Sequence, residues 1–421
     1  MRPSSPGRLR VLICAYSCNR DDVGSAHTAY HWVKGLAGHC DITLLTRRRN
    51  REPCGAEAVP NVRTVQFDEW PFYSRFVRFD RKFQPGYFQF ALQSFLWARR
   101  VVARERFDLV HQITPGALRY PSPMGLLGVP FILGPAGGCQ PTPSDLAPAL
   151  RLGSLSEYLR RFDVLRMRLD PLMGGTLRGA ARILVFGRYV LATVPPAFRH
   201  KCQVFPDGGF ESLPPLPERE MGKARVDLLF VGRVEPIKGL RFLLEALGRV
   251  KPDVPWRLTV VGDGADLAFS KGLARGLGLT NRVRFVGKVP RRQVDAFYAS
   301  ADIFCLPTIR EGVGFAILEA MSYGLPVVVC DYAGPSETVG DDCGFKVPPA
   351  GRRTFVANIA KAIEMLAGSH ALRHHMGQAG RRRVADEFMW PKRAIRMVGI
   401  YREVLAGAKT GRGPDGLARI E

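Results

Sequence analysis

The chain has 421 residues, 61 lysines and arginines against 38 acidic residues (formal net charge +23), 46% hydrophobic residues and nine cysteines. That apolar content excludes a disordered chain, the sparse cysteines exclude a disulfide scaffold, and glycine and proline without a period exclude a collagen-like one. A length of nearly three typical domains favours two compact domains, or at most three.

Arg2, Arg8 and Arg10 precede the apolar run Val11 to Tyr16 and imitate a secretion signal. The run is too short, lacks a small-x-small cleavage site and meets Asn19-Arg20-Asp21-Asp22, so it reads as a first strand. Further candidate strands are Asp41 to Thr46, Val62 to Phe67, Leu109 to Gln112, Phe131 to Leu133 and Arg182 to Phe186, with helical patterns at Ala26 to Leu36 and Phe88 to Arg104. Residues 1–206 form an N-terminal, acceptor-side Rossmann-like domain in this reading. The Pro- and Gly-rich stretch 207–225 is a linker. The alternation then restarts over 226–388, with strands at Val226 to Val231, Arg257 to Val261, Val283 to Val286, Ile303 to Leu306 and Pro326 to Val329. Between them, Leu240 to Leu247, Arg291 to Ala299 and Phe315 to Met321 keep helical spacing. A long helical stretch from Arg381 to Leu405 follows, its 389–407 part packing back toward the N-terminal domain, and 408–421 is a flexible tail.

This alternation predicts an α/β chain of two doubly wound domains facing each other across a cleft, with ligands beyond the carboxyl ends of the strands. The cysteine count is odd, no Cys-x-x-Cys pair occurs, and no apolar run reaches about 18 residues. The expectation is a reduced, cytoplasmic protein, soluble or peripheral at the inner face of a membrane. Arginine outnumbers lysine by 49 to 12, which reads as GC-rich coding bias. A positive surface nonetheless attracts nucleotides, anionic headgroups and nucleic acid.

The densest constellation of chemistry lies in the second domain. A strand ends at Gly232, Arg233 and Lys238 project from the loop after it, and Gly239 opens a helix. Arg can fork onto two phosphate oxygens and Lys acts as a point charge, a combination suited to a diphosphate. A second strand delivers Glu311 to the loop Gly312-Val313-Gly314-Phe315, whose backbone N–H groups and helix start can hold phosphate oxygens. Glu319, within that helix, can accept hydrogen bonds from a ribose diol, and Glu311 from sugar hydroxyls.

Phe-x-Gly-Arg with Lys-Gly shortly after, Glu-x7-Glu over Glu311 and Glu319, and then Ala320-Met321-Ser322-Tyr323-Gly324-Leu325-Pro326 closely resemble glycosyltransferase family 4, retaining enzymes of the GT-B fold. The strong match covers about Leu228 to Val347. The resemblance implies a hexosyltransferase whose nucleotide-sugar donor is a substrate, not a cofactor. Arg233 and Lys238 would bind the donor diphosphate and stabilise the departing nucleotide, Glu311 would contact the donor sugar, and Glu319 would hold the ribose. Gly232 and the backbone of Gly312 to Phe315 would line the phosphates and sugar, and Gly287-Lys288-Val289 would meet the base. Retention there is described as same-face attack, with the donor phosphate accepting the acceptor's proton. No Asp-x-Asp motif occurs at a donor loop, so metal independence is expected. The expected donor is UDP-N-acetylglucosamine. The Arg-, Gly- and Pro-rich texture resembles actinomycete chains, some of which glycosylate antibiotic intermediates such as ribostamycin. A small saccharide acceptor of that kind is the acceptor expected, and a lipid-linked or cell-envelope acceptor is the alternative, kept open by the positive charge.

In the first domain, Gly24 and Ser25 follow the first strand, where such enzymes carry a loop near the donor phosphate. They either supply N–H groups there or form an ordinary turn with Ser25 capping the helix. His111 is read as a catalytic candidate at a strand end. Many family members carry a His-Asp pair after the next strand, where this chain has Gly134-Pro135-Ala136-Gly137-Gly138. Phe72 to Arg106 interleaves aromatics with arginines, as a core-facing amphipathic segment or a peripheral membrane surface. Two other classes fit less well. A dinucleotide oxidoreductase would need Gly-x-Gly-x-x-Gly after the first strand, and a nucleic-acid-binding protein would leave Glu311 and Glu319 unexplained, so no nucleic-acid partner is expected.

Overall fold

Strands of a parallel sheet are covered on both faces, so they read as near-continuous apolar runs. Ile303–Leu306 and Val327–Cys330 illustrate this, each buried at every position. The computed structural model describes residues 7–22, 24–48, 54–70, 85–138, 140, 142–148, 163–219 and 223–409. They fall into two units. Unit 1 draws on 1–139, 161–209 and 390–421, and unit 2 on 140–160 and 210–389.

Unit 1 holds a seven-stranded sheet of order β3-β2-β1-β4-β5-β6-β7. Its strands are β1 (Leu9–Ala15), β2 (Cys40–Arg47), β3 (Val62–Phe67), β4 (Leu109–Thr114), β5 (Phe131–Ala136), β6 (Arg182–Val185) and β7 (Cys202–Val204), all paired parallel. Helices α1 (Ser25–Ala37), α2 (Pro85–Val102), α3 (Asp163–Leu169), α4 (Pro171–Gly179) and α5 (Arg188–Leu191) connect them. Unit 2 holds a six-stranded sheet of order β10-β9-β8-β11-β12-β13. Its strands are β8 (Val226–Val231), β9 (Trp256–Val261), β10 (Val283–Gly287), β11 (Ile303–Leu306), β12 (Val327–Cys330) and β13 (Gly344–Val347). Its helices are α6 (Leu240–Leu247), α7 (Leu267–Gly276), α8 (Arg291–Ser300), α9 (Phe315–Ser322), α10 (Gly334–Thr338), α11 (Arg352–Gly368) and α12 (His370–Glu387). Helix α13 (Trp390–Lys409) returns to unit 1.

Four differences from the sequence reading concern segment boundaries and caps. The helical stretch from Arg381 to Leu405 is two helices, interrupted at Phe388 and Met389, where Met389 bridges Phe210. Helix α12 buries only Gly377, Ala379, Gly380 and Val384 along its length, whereas α13 turns an apolar face toward α1. There Tyr401 and Met397 are fully buried and Trp390 lies against His31 and Trp32. The stretch 207–225 is not a bare linker where it is described. Arg219 donates to the carbonyls of Ala301, Tyr323 and Gly324 at 2.8–3.1 Å, and Arg381 to that of Pro214 at 2.8 Å, so its part from Pro214 to Arg219 is pinned to unit 2, while Asp207 accepts from Trp32 of unit 1 at 2.8 Å. The segment beginning at Gln140 groups with unit 2, not with the N-terminal domain, Gln140 donating to the Glu311 carbonyl at 3.0 Å. Ser25 is the first residue of α1 rather than its cap; Gly24 is the cap, with φ 69, and its carbonyl accepts from the backbone and hydroxyl of Thr28 at 3.0 Å.

Eight cysteines are unbridged, all but Cys202 buried, and Cys139 lies outside the described residues. Among the described residues no helix is long and apolar enough to cross a membrane.

Candidate functional site

In unit 2 the strand order reverses between β8 and β11, and ligands of open α/β sheets bind beyond the carboxyl ends at such a switch point. The two loops leaving those strand ends carry most of the residues singled out from the sequence. The first loop runs from Gly232 to Gly239. Thr308 donates its hydroxyl to the Ile237 carbonyl at 3.1 Å and Ile309 its amide to the same oxygen at 3.0 Å, tying this loop to the one after β11. Gly239 takes φ 78, and a Cβ there would sit 2.1 Å from the Pro307 carbonyl oxygen, so only glycine allows both the turn and the approach.

The strand ends themselves are in close contact along this edge. Gly262, after β9, donates to Gly287 at 2.9 Å, and a Cβ on Gly262 would lie 1.8 Å from the Gly232 carbonyl oxygen. Such approaches bring the ends of β8, β9 and β10 together. They leave Arg233 with its side chain 70% exposed, paired with Glu235 at 2.5 Å. Lys238 is more deeply set and forms an ion pair with Glu311. A cation and a carboxylate contributed by the two switch-point loops therefore meet directly.

Beyond Glu311, Gly312 to Gly314 turn into α9, with Gly314 as its cap at φ 85. A third loop buttresses this turn. Gly334 donates to the Glu311 carbonyl at 3.1 Å, a Cβ on Gly334 would fall 2.0 Å from the Gly312 oxygen, and Thr338 donates to the Val313 carbonyl at 2.7 Å. The first amides of a helix have no partner within it, so the start of α9 at Phe315 presents N–H groups next to the Lys238–Glu311 pair in sequence and loop packing.

Glu319 lies one turn into α9. One carboxylate oxygen accepts from Arg291 and the other from the Tyr298 hydroxyl, each at 2.9 Å. Burial holds its carboxyl above the usual carboxylate range, opposed by the Arg291 guanidinium and the Tyr298 hydrogen bond. Arg291 and Tyr298 both sit on α8, directly after the half-buried Val289. Spacing gave no signal for either, because each meets Glu319 only through the tertiary fold.

Unit 1 places its candidates differently. Gly24 and Ser25 are exposed at the start of α1, and Val23 beside them lies outside the described residues. His111 is mid-strand in β4, which continues to Thr114, and is fully buried. Its Nε2 donates to the Gly134 carbonyl at 2.6 Å and its Nδ1 accepts from the Tyr401 hydroxyl at 2.7 Å. Burial pushes its pKa down to about 4, so the ring is neutral. With both nitrogens committed inside the core, His111 positions β4, β5 and α13 in place of the expected catalytic role. The neighbouring glycines serve packing: a Cβ on Gly134 would meet the Leu184 carbonyl at 2.2 Å, and one on Gly137 the Phe186 ring at 2.4 Å. In α2, Phe95 and Trp97 pack against the core whereas Phe88, Leu92 and Leu96 are exposed, and 71–84 lie outside the described residues.

Residues 218–383 match the family model of Glycosyl transferases group 1. A D-inositol 3-phosphate glycosyltransferase of Kineococcus radiotolerans is 30% identical over 51% of this chain and 54% of its own length. A GDP-mannose-dependent alpha-(1-6)-phosphatidylinositol monomannoside mannosyltransferase of Mycolicibacterium smegmatis is 32% identical over 43% of this chain and 48% of its own. The chain thus spans about half the length of the curated relatives it matches. The structure of a sucrose-phosphate synthase from Thermosynechococcus elongatus superposes with a TM-score of 0.64 at 20% identity, covering 95% of this chain and 100% of that one. Two parallel-sheet, Rossmann-like α/β units are the GT-B architecture.

Proposed function

We propose that this chain is a glycosyltransferase that moves a hexosyl group from a nucleoside diphosphate sugar to an acceptor hydroxyl, with unit 2 as the donor-binding unit. The observation that carries this reading is the meeting of Lys238 and Glu311 at the switch point, beside the Gly312 to Phe315 turn and the exposed Arg233. In the proposed reaction the anomeric C–O bond breaks and its electron pair leaves with the nucleoside diphosphate. Arg233 and Lys238 meet that developing charge, which preorganised cations stabilise more in the transition state than in the donor. The acceptor oxygen bonds to the anomeric carbon on the same face, and its proton passes to the departing phosphate oxygen. Glu311, relieved of part of its pairing as Lys238 turns to phosphate, accepts hydrogen bonds from the donor sugar, and Glu319 accepts from the ribose. Because the chain's own cations neutralise the diphosphate, turnover is expected to survive EDTA.

Donor and acceptor are assigned by class. The two relatives named above differ in their substrates by name, so the test is a donor-hydrolysis screen over UDP-, GDP- and dTDP-sugars, with UDP-N-acetylglucosamine as its first member. Mass spectrometry with ribostamycin and with phosphorylated polyol or lipid-linked acceptors then follows. A net charge of +23 favours the anionic acceptors. Phe88, Leu92 and Leu96, spaced four apart on α2 and 42–53% exposed, with Arg99 and Arg100 exposed at its end, support peripheral contact with an anionic bilayer. Co-flotation with phosphatidylglycerol vesicles, lost in a Leu92→Glu variant, is the expected result. Hydrolysis of no nucleotide sugar in the screen would overturn the reading as a whole.

A further inference from the structure

The two oxygens of Glu319 are held by donors of opposite character. Tyr298, which donates to Oε2 at 2.9 Å, is fully buried, stacks on Tyr323 with ring centroids 5.6 Å apart, and packs against Phe304 at 5.8 Å. Its hydroxyl also lies 3.4 Å from the Ala316 carbonyl, within the same helix as Glu319. Burial and the adjacent carboxylate hold this phenol well above its ordinary pKa, so it stays a donor. Arg291, on Oε1, has a side chain 61% exposed and shares its charge with Asp295 at 3.2 Å. Arg291 is the exposed end of its pair with the less exposed Glu319, where water and Asp295 can take over its hydrogen bonds, so it is the more readily exchanged of the two donors. A buried hydroxyl has no other place to go, since moving it breaks ring packing and strands a donor.

Building on the ribose role proposed for Glu319, we infer that Tyr298 is a positioning residue that commits Oε2 and so fixes Oε1 as the oxygen offered to the ribose hydroxyls, with Arg291 surrendering that oxygen as the nucleotide binds. A carboxylate free to rotate would offer either oxygen and lose part of its preference for a diol. Held from behind by a buried phenol, it meets the sugar in one orientation, and the rotational freedom is spent in folding and not in binding. The arrangement makes nucleotide recognition a property of α8 as well as of α9.

The test is calorimetric binding of UDP and GDP, each against its 2′,3′-dideoxy form, to the full chain, analysing the pair that binds more tightly. Wild type is expected to prefer the ribose form by about tenfold or more, the range of a hydrogen bond to a charged group. Glu319→Gln should abolish most of that preference. Tyr298→Phe should reduce it at least threefold, whereas Arg291→Ala should keep it. The ratio is internal to each protein, and the fitted stoichiometry reports the folded fraction, so partial unfolding does not imitate the effect. A second readout is the acid limb of affinity. The groups facing the carboxylate are Arg291, Tyr298 and Asp295; loss of the Tyr298 hydrogen bond removes an influence that lowers the Glu319 pKa, so the limb should move to higher pH in Tyr298→Phe. A Tyr298→Phe protein with an unchanged ratio and an unmoved limb overturns the inference, provided Glu319→Gln loses the preference. A wild type with no preference overturns the ribose role itself, and the inference with it.

Discussion

Units 1 and 2 repeat one topology, with the strand order reversing at β1/β4 in the first and β8/β11 in the second, yet they place different chemistry at that point. In unit 2 the ionisable groups stand beyond the strand ends, partly exposed and paired with one another: Lys238 with Glu311, Arg291 with Glu319. In unit 1 the histidine singled out from the sequence is inside the strand, where His111 is fully buried and bonded at both nitrogens. A difference of a few residues along the strand separates partly exposed charges from a ring enclosed in the core. The sheet supplies a location, and the position of each side chain relative to the strand end decides whether it serves chemistry or stability.

The sharpest way to break this contrast is Lys238→Ala. If its charge acts on the leaving group, turnover should fall by about 10²–10³-fold, the range for removing one preorganised electrostatic partner, while the melting temperature changes little. A loss smaller than tenfold at saturating donor would remove the leaving-group role and make the Lys238–Glu311 pair merely structural.

His111 should show the reverse pattern. The unfolded chain binds a proton at this ring below about pH 6.5, whereas the folded chain resists until about 4. Over that window the unfolded state holds more protons, so stability falls as pH falls, by up to ~3 kcal/mol from this group alone. Denaturant melts of unit 1 between pH 7 and 4 should show that slope, and His111→Gln should flatten it and lower stability at pH 7 while kcat stays within about threefold. A kcat loss comparable to that of Lys238→Ala would restore a catalytic role to the histidine and erase the distinction between the two units.

How far these roles were legible in the sequence follows the same physics. The places of Gly232, Arg233, Lys238 and Glu311 in the loops after β8 and β11, and of Glu319 in the helix that follows, could be read because strand-turn-helix punctuation fixes where a loop emerges and apolar runs such as Val226–Val231 mark the strands sharply. The burial of His111 was not legible, because its partner Tyr401 lies 290 residues away on α13. Tyr298 was equally silent: an aromatic at helical spacing looks like core, and it is core, with only its hydroxyl reaching Glu319. Strands β7 and β13 lack the continuous buried run that marks the comparably short β11 and β12, so they did not register. The break between α12 and α13 was hidden because it spans only Phe388 and Met389, neither of which is a helix-breaking residue.

The smallest expected effect tests whether unit 2 stores a cost at Glu319 that unit 1 does not carry at its own switch point. Burial raises the Glu319 carboxyl above its usual value of about 4.5 despite Arg291 and Tyr298, so the folded state holds this proton more tightly than the unfolded chain does. Stability from the protonated form is complete below that usual value and is lost as pH rises through the raised one, leaving the ionised side chain a net burden at neutral pH. Glu319→Gln, which mimics the protonated acid, should therefore melt higher than wild type at pH 7.5, and the gap should close as pH falls toward 4. The same variant should bind nucleotide less tightly, as expected of a site that gives up stability for recognition. A melting temperature at or below that of wild type at pH 7.5 would mean that the Arg291 and Tyr298 contacts fully compensate the buried charge, and that Glu319 is held for the fold's sake as His111 is.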